Sequence, residues 1–82
     1  MNTKSSRKQI IEEAFKFHSL GNISMALKYY QHFINKGFRD HRVFSNYGAI
    51  LQGQGELEKA ENYYRKAIKL NPNYATAHSN LG

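Results

Sequence analysis

Cysteine and tryptophan are both absent from this 82-residue chain. The lack of cysteine excludes disulfide bonds, thiolate metal sites and a cysteine nucleophile. Apolar runs are no longer than three residues, as at 49–51, whereas a membrane-spanning helix needs about 20. The basic start runs into Glu12 and Glu13 without an apolar segment, so the sequence predicts no secretory signal peptide. We therefore expect no membrane partner and a cytoplasmic location.

Acidic residues are scarce, since six Asp and Glu face twelve Lys and Arg for a net charge of +6. Residues 1–42 hold eight basic and three acidic residues, against four and three in residues 43–82. A basic half favours an acidic partner, nucleic acid or an anionic membrane surface. The alternative is a solvated helical surface that follows a basic, flexible leader at residues 1–6.

A period of 34 residues runs through the chain. Segment 7–40 aligns with 41–74, and 75–82 begins a third copy. Five positions are identical between the two units. All five fall in the second part of the unit, so they support a repeat more strongly than their number alone does. They are Gly21/Gly55, Ala26/Ala60, Tyr29/Tyr63, Tyr30/Tyr64 and Ile34/Ile68.

Each unit has the pattern of two helices joined by a glycine break. The apolar spacing predicts helices near 6–20, 23–36 and 41–54, and a fourth from Glu56 to a stop at Asn71-Pro72. Gly37 suits a left-handed position after the second helix. Asp40 suits the N-cap of the third, and Asn22 or its neighbour the N-cap of the second. Alternation with a period of two, which would indicate strands, is absent.

Small and aromatic residues at fixed places in the unit predict how the helices pack. Gly48 and Ala60, like Ala14 and Ala26, stand where two helices would cross closely. Tyr30 and Tyr64 would fill the space between neighbouring hairpins. The full packing signature is Ala14, Gly21, Ala26, Tyr30, Phe44, Tyr47, Gly48, Leu51, Gly55, Ala60, Tyr64, Ala67 and Pro72.

Residues 7–82 resemble the tetratricopeptide repeat (TPR) family, whose pattern is W-x2-L-G-x2-Y…A-x3-F…P, and the second unit matches it best. This chain reads Phe44-x2-Tyr47-Gly48-x2-Leu51…Ala60-x3-Tyr64…Pro72. The first unit departs from the pattern at Glu13 and at Phe38, which replaces the proline. The resemblance implies an all-α fold of antiparallel helix–turn–helix repeats, an α-solenoid with two full repeats and the first helix of a third.

The resemblance also implies that the first helix of each pair lines a concave, peptide-binding groove. Asn46 and Asn80 lie one period apart and are similar to an asparagine ladder that grips peptide backbones in transferase TPR segments. An ordinary packing or turn preference of asparagine explains the pair equally well. The groove candidates are Lys8, Ile11, Phe15, Arg42, Asn46, Ala49, Gln52 and Asn80.

These observations predict a non-catalytic protein–protein interaction module with a protein or peptide partner. The four histidines have no paired metal spacing and no catalytic set is recognisable, so we expect no enzyme activity, metal or cofactor. A second hypothesis is the N-terminal substrate-docking region of a larger glycosyl- or sulfotransferase. RNA binding is a third, disfavoured because the aromatic residues occupy packing positions.

The third unit stops at Gly82, inside its first helix. Repeat arrays need terminal units with a polar outer face, and fewer than about three repeats are marginally stable. The sequence therefore predicts either a longer protein that continues the array or self-association through the uncovered end.

Overall fold

The computed structural model describes residues 3–73, with side chains from residue 6 onward. It contains four α-helices: α1 at Thr3–Ser19, α2 at Ile23–Asn35, α3 at His41–Gly53 and α4 at Leu57–Leu70. No strand occurs within the described residues. The predicted all-α class and its four helices are thus confirmed, with boundaries shifted by up to three residues. The predicted start of a third repeat at residues 75–82, which includes Asn80, lies outside the described residues.

The chain divides into two compact units, Met1–Arg39 and Asp40–Gly82. In the first, α1 packs antiparallel to α2, and in the second α3 packs antiparallel to α4. The division falls one residue before the boundary that the 34-residue period predicts. Because α1 begins at Thr3, it extends into the stretch that the sequence assigns to a leader.

Equivalent glycines make the turn within each hairpin. Gly21 has φ of 78° and Gly55 has φ of 83°, a left-handed conformation that costs glycine little and other residues more. Asn22 follows Gly21 and caps α2, because its side-chain oxygen accepts a hydrogen bond from the Met25 N–H at 3.2 Å. The repeat therefore preserves the turn through its glycine, while its cap varies: Glu56 makes no side-chain cap bond to α4.

An aromatic and cationic cluster holds the end of the first hairpin where the second has Pro72. Phe38 packs on Phe33 with 5.4 Å between ring centroids. The Arg7 guanidinium lies 5.4 Å from the centroid of the Phe33 ring and donates a hydrogen bond to the Arg39 carbonyl at 3.1 Å. Side-chain packing thus takes the place of the proline at the end of the first unit.

Buried alanines and aromatics form the core of each hairpin. Ala14, Ala26, Tyr30 and Phe33 in the first unit have no exposed surface. In the second unit the buried set is Val43, Phe44, Tyr47, Ile50, Leu51, Ala60, Tyr64 and Ala67.

Helices α3 and α4 lie in close contact at Gly48. A Cβ atom there would lie 2.9 Å from Cε1 of Tyr64 and 3.2 Å from the backbone oxygen of Ala60. The first distance is one that real Cβ atoms essentially never show, and the second is tighter than most real Cβ contacts. Glycine is therefore required by the contact and not by a turn. Ala14 stands at the equivalent position of the first unit.

We expect Gly48→Ala to lower the free energy of unfolding by about 1–3 kcal/mol, because the added methyl group overpacks a rigid contact. Gly53→Ala, on the same helix, has nothing within 4 Å of the added Cβ and should be neutral or slightly stabilising. Urea unfolding of both variants checks this. Equal effects at the two glycines would contradict the assigned close contact.

Asp40 caps α3 and binds Arg42. Its Oδ1 accepts from the Arg42 backbone N–H at 2.8 Å, and its Oδ2 accepts from the Arg42 guanidinium at 2.9 Å. Burial acts to raise the pKa of Asp40, but hydrogen bonds from the Arg42 side chain and backbone outweigh it, so this pKa lies below the ordinary 3.8.

A lowered carboxyl pKa stabilises the folded state above pH 3.8 and loses that effect as pH falls through the folded pKa. Asp40→Asn keeps a capping side chain but has no charge, whereas Asp40→Ala removes the cap at a cost of about 1 kcal/mol. The stability difference between wild type and Asp40→Asn should therefore be present at neutral pH and vanish in acid. Urea unfolding across pH measures it, and a difference that stays constant with pH would contradict the assigned ion pair.

Candidate functional site

The first helix of each hairpin carries one exposed stripe at helical spacing. In α1 it consists of Lys8, Glu12 and Phe15, and in α3 of Arg42, Asn46 and Ala49. The members of each set lie four and then three residues apart, which places them on one face. Each residue of one set is 34 residues from its counterpart in the other. We call each set a first-helix stripe.

The two stripes differ in how far their side chains reach solvent. Lys8, Arg42 and Ala49 are exposed, whereas Phe15 and Asn46 are half-buried. Phe15 meets the Tyr30 ring edge-on, with 6.3 Å between ring centroids. The α1 stripe thus presents a cation beside a partly covered aromatic ring, and the α3 stripe presents a cation, an amide and a methyl group.

Arg42 is constrained by its own hairpin. Besides the Oδ2 contact, its Nε donates to Oδ1 of Asp40 at 3.1 Å, which makes a two-point ion pair. The Asp40 carboxylate balances part of the positive charge that Arg42 would otherwise offer to an acidic peptide. Arg42 is therefore a positioned donor more than an unscreened cation.

The groove candidate Ile11 is buried instead of exposed, and so is Ser45 on α3. Ile11 is only 6% exposed, because the apolar face of α1 is wide enough to include both Ile10 and Ile11. Ser45, which neighbours Asn46, is 1% exposed, and its hydroxyl has no hydrogen-bond partner among the described residues. Neither side chain belongs to an exposed stripe, so we correct the expectation that Ile11 anchors a peptide.

Gln52 takes part in a hydrogen bond inside its hairpin. Its Oε1 accepts from the Tyr64 hydroxyl at 2.7 Å. Burial raises the pKa of Tyr64, which keeps its hydroxyl protonated and able to donate. This contact occupies one acceptor of the Gln52 side chain, which remains exposed in other respects.

The same bond recurs in the first hairpin with a different partner. Nδ1 of His18 lies 2.7 Å from the Tyr30 hydroxyl, and each residue stands 34 positions before its counterpart. Sequence reasoning missed this pair, although the repeat aligns His18 with Gln52 and Tyr30 with Tyr64. It placed both tyrosines between hairpins, whereas each hydroxyl is held by the first helix of its own hairpin.

The tyrosine hydroxyl therefore links the two helices near the hairpin turn in both units. A histidine and a glutamine share one property that matters here, since each can accept a hydrogen bond from a phenol. The repeat therefore keeps the hydrogen bond of the tyrosine hydroxyl, but the residue type of its partner differs between the units.

Three further observations concern Asn80, metal ligands and membrane spans. Asn80 lies outside the described residues, so the pairing of Asn46 with Asn80 stays a prediction. Among residues 6–73, no three histidine or acidic side chains cluster as metal ligands would. No described helix is both long and apolar enough to cross a membrane.

Comparison with known proteins gives one family match. Residues 48–82 match a family model described as TPR repeat. No curated protein and no solved structure gives a significant match to the chain.

We expect a double-mutant cycle between Gln52→Ala and Tyr64→Phe to give a coupling energy of about 0.5–1.5 kcal/mol, the usual contribution of a hydrogen bond. Gln54→Ala is the matched control, because Gln54 is exposed and lies outside the bond. Its effect should add to that of Tyr64→Phe without coupling. Urea unfolding supplies the free energies.

The first hairpin offers the corresponding swap. His18→Gln installs the acceptor that the second hairpin uses and should retain stability within about 0.5 kcal/mol, whereas His18→Ala should lose the bond. If His18→Gln were as destabilising as His18→Ala, the two tyrosine bonds would not be equivalent.

Proposed function

We propose that this chain is a tetratricopeptide-repeat interaction module in which the first-helix stripes of α1 and α3 each bind an extended peptide segment. TPR repeats mediate protein–protein interactions, which is the general role of such a module. Beyond this general role, we assign the binding surface to the first-helix stripes and the partner to an extended peptide. It also assigns the chain a non-catalytic role.

The observation that carries the proposal is the matching register of the two stripes. Each begins with a cation, continues with a polar side chain and ends with a residue that offers apolar contact. An extended peptide presents a carbonyl or an N–H group at every residue. Polar and apolar groups repeated along a helix suit such a ligand better than a compact one.

Asn46 is the central recognition residue of the α3 stripe. A carboxamide carries two donor hydrogens and an acceptor oxygen, so it can contact a peptide carbonyl and a peptide N–H. The neighbouring Ala49 is exposed and small, which leaves room for a peptide backbone to approach the helix. Arg42, oriented by Asp40, adds a guanidinium for an acidic side chain or a carbonyl.

Peptides selected from a random linear library on the wild-type chain should bind with roughly micromolar affinity. Ala49→Glu should weaken them about tenfold, because it adds bulk and a negative charge to the approach surface. Asn62→Glu is the matched control, since it makes the same charge change on exposed α4. Fluorescence anisotropy measures the affinities, and NMR shift changes should concentrate on the two stripes.

Circular dichroism verifies that both variants keep their helices. The proposal is wrong if no linear peptide is selected, if Asn62→Glu weakens binding as much as Ala49→Glu, or if the shift changes fall on α2 or α4.

A further inference from the structure

The second helix of the first hairpin has an unusual charge distribution. No Asp or Glu occurs from Ala14 to Arg39, a segment that includes all of α2. Two lysines and a histidine, Lys28, His32 and Lys36, follow one another at intervals of four residues and are all exposed. Because this spacing repeats once per helical turn, they form a row along one face.

A shallow cleft runs beside this row. It has a volume of about 400 Å³ and is lined by Lys28, Tyr29, Gln31, His32 and Asn35. All of these side chains except Tyr29 are exposed. Basic side chains therefore alternate with side-chain amides, which supply groups that attract anions and groups that hydrogen-bond a peptide backbone.

The equivalent face of α4 differs, although the helices are repeats of each other. There Arg65 pairs with Glu61 at 2.6 Å, and Lys66 lies 4.9 Å from the centroid of the Tyr63 ring. Arg65 and Lys66 thus have partners within their own hairpin. For Lys28, His32 and Lys36, no ion pair or ring contact occurs among residues 6–73.

We propose that the row of Lys28, His32 and Lys36, with the cleft beside it, is a docking surface for a short acidic peptide segment of a partner protein. This surface lies on a second helix, so it is separate from the first-helix stripes. The proposal does not depend on whether those stripes bind peptide.

The dimensions suit a peptide. Eight residues separate Lys28 from Lys36, which at 1.5 Å per residue is about 12 Å along α2. An extended segment of about five residues, with spacings of about 3.3 Å, covers that distance. Carboxylates on alternate residues would then face the three basic side chains of the row in turn. The amides of Gln31 and Asn35 would reach the peptide backbone.

Two other anionic partners fit less well. Single-stranded nucleic acid needs open aromatic faces for its bases, but the Tyr29 ring already stacks on Phe17 at 5.6 Å and 14°. A membrane surface needs apolar side chains that insert beside the cations, whereas Gln31, His32 and Asn35 are polar. Charge complementarity together with the absence of these features favours an acidic protein segment.

The test uses the full chain and a fluorescein-labelled octapeptide of alternating Asp and Glu, in low salt. We expect saturable binding in fluorescence anisotropy that weakens as salt is added. Lys28→Glu should weaken it about tenfold, since it replaces an attraction with a repulsion. Lys59→Glu, an identical charge change at an exposed position of α4, should leave the affinity within about twofold.

A neutral octapeptide of Asn and Gln, an eight-nucleotide oligouridine and phosphatidylserine vesicles are the alternative probes. None should bind as tightly as the acidic peptide. NMR shift changes for that peptide should fall on residues 28–36.

Four results overturn the proposal. They are absence of acidic-peptide binding, equal losses in Lys28→Glu and Lys59→Glu, tighter Lys28-dependent binding of oligouridine or vesicles, and shift changes confined to α1 and α3. Equal losses would mean that binding follows net charge alone. Binding confined to α1 and α3 would place acidic peptides on the first-helix stripes and leave the proposed function standing.

Discussion

The close contact between α3 and α4 at Gly48 is the constraint on which the second hairpin depends. Because position 48 has no side chain, the ring of Tyr64 and the backbone of Ala60 lie against the α3 backbone. That approach buries Tyr64 and brings its hydroxyl to Gln52, one helical turn along α3. The burial of Tyr64 and its hydrogen bond to Gln52 thus both follow from the small size of Gly48. Both would change if the two helices lay farther apart.

The two hairpins reach similar architectures with different side chains. Ala14 stands where Gly48 does, His18 where Gln52 does, and Phe38 where Pro72 does. In each hairpin the buried tyrosine spans the pair of helices and bonds to the first helix. What the repeat keeps is therefore a set of physical roles, namely a left-handed turn, a small crossing residue and a bonded phenol.

The helices of each hairpin also divide the surface chemically. First helices carry mixed stripes in which Arg42 is already paired with Asp40, whereas α2 carries cations without acidic neighbours in its own sequence. On the equivalent face of α4, Glu61 pairs with Arg65, and an aromatic ring contacts Lys66. A repeated fold thus provides surfaces with unequal electrostatic character, which permits different partners at different places.

The sequence by itself determined the helices and their ends, because apolar periodicity, glycine breaks and caps such as Asp40 are local properties of the chain. It also determined that Gly48 and Ala60 stand at a crossing, since only small residues recur there. Only the tertiary structure decided which side chains remain exposed. Ile11 is buried because the apolar face of α1 is broader than one stripe, and Gln52 accepts a bond from Tyr64 because the helices lie close. The exposure and the hydrogen-bond partner of a side chain depend on which residues pack against it. The helical period predicts the direction in which a side chain points, but not the neighbour that covers it.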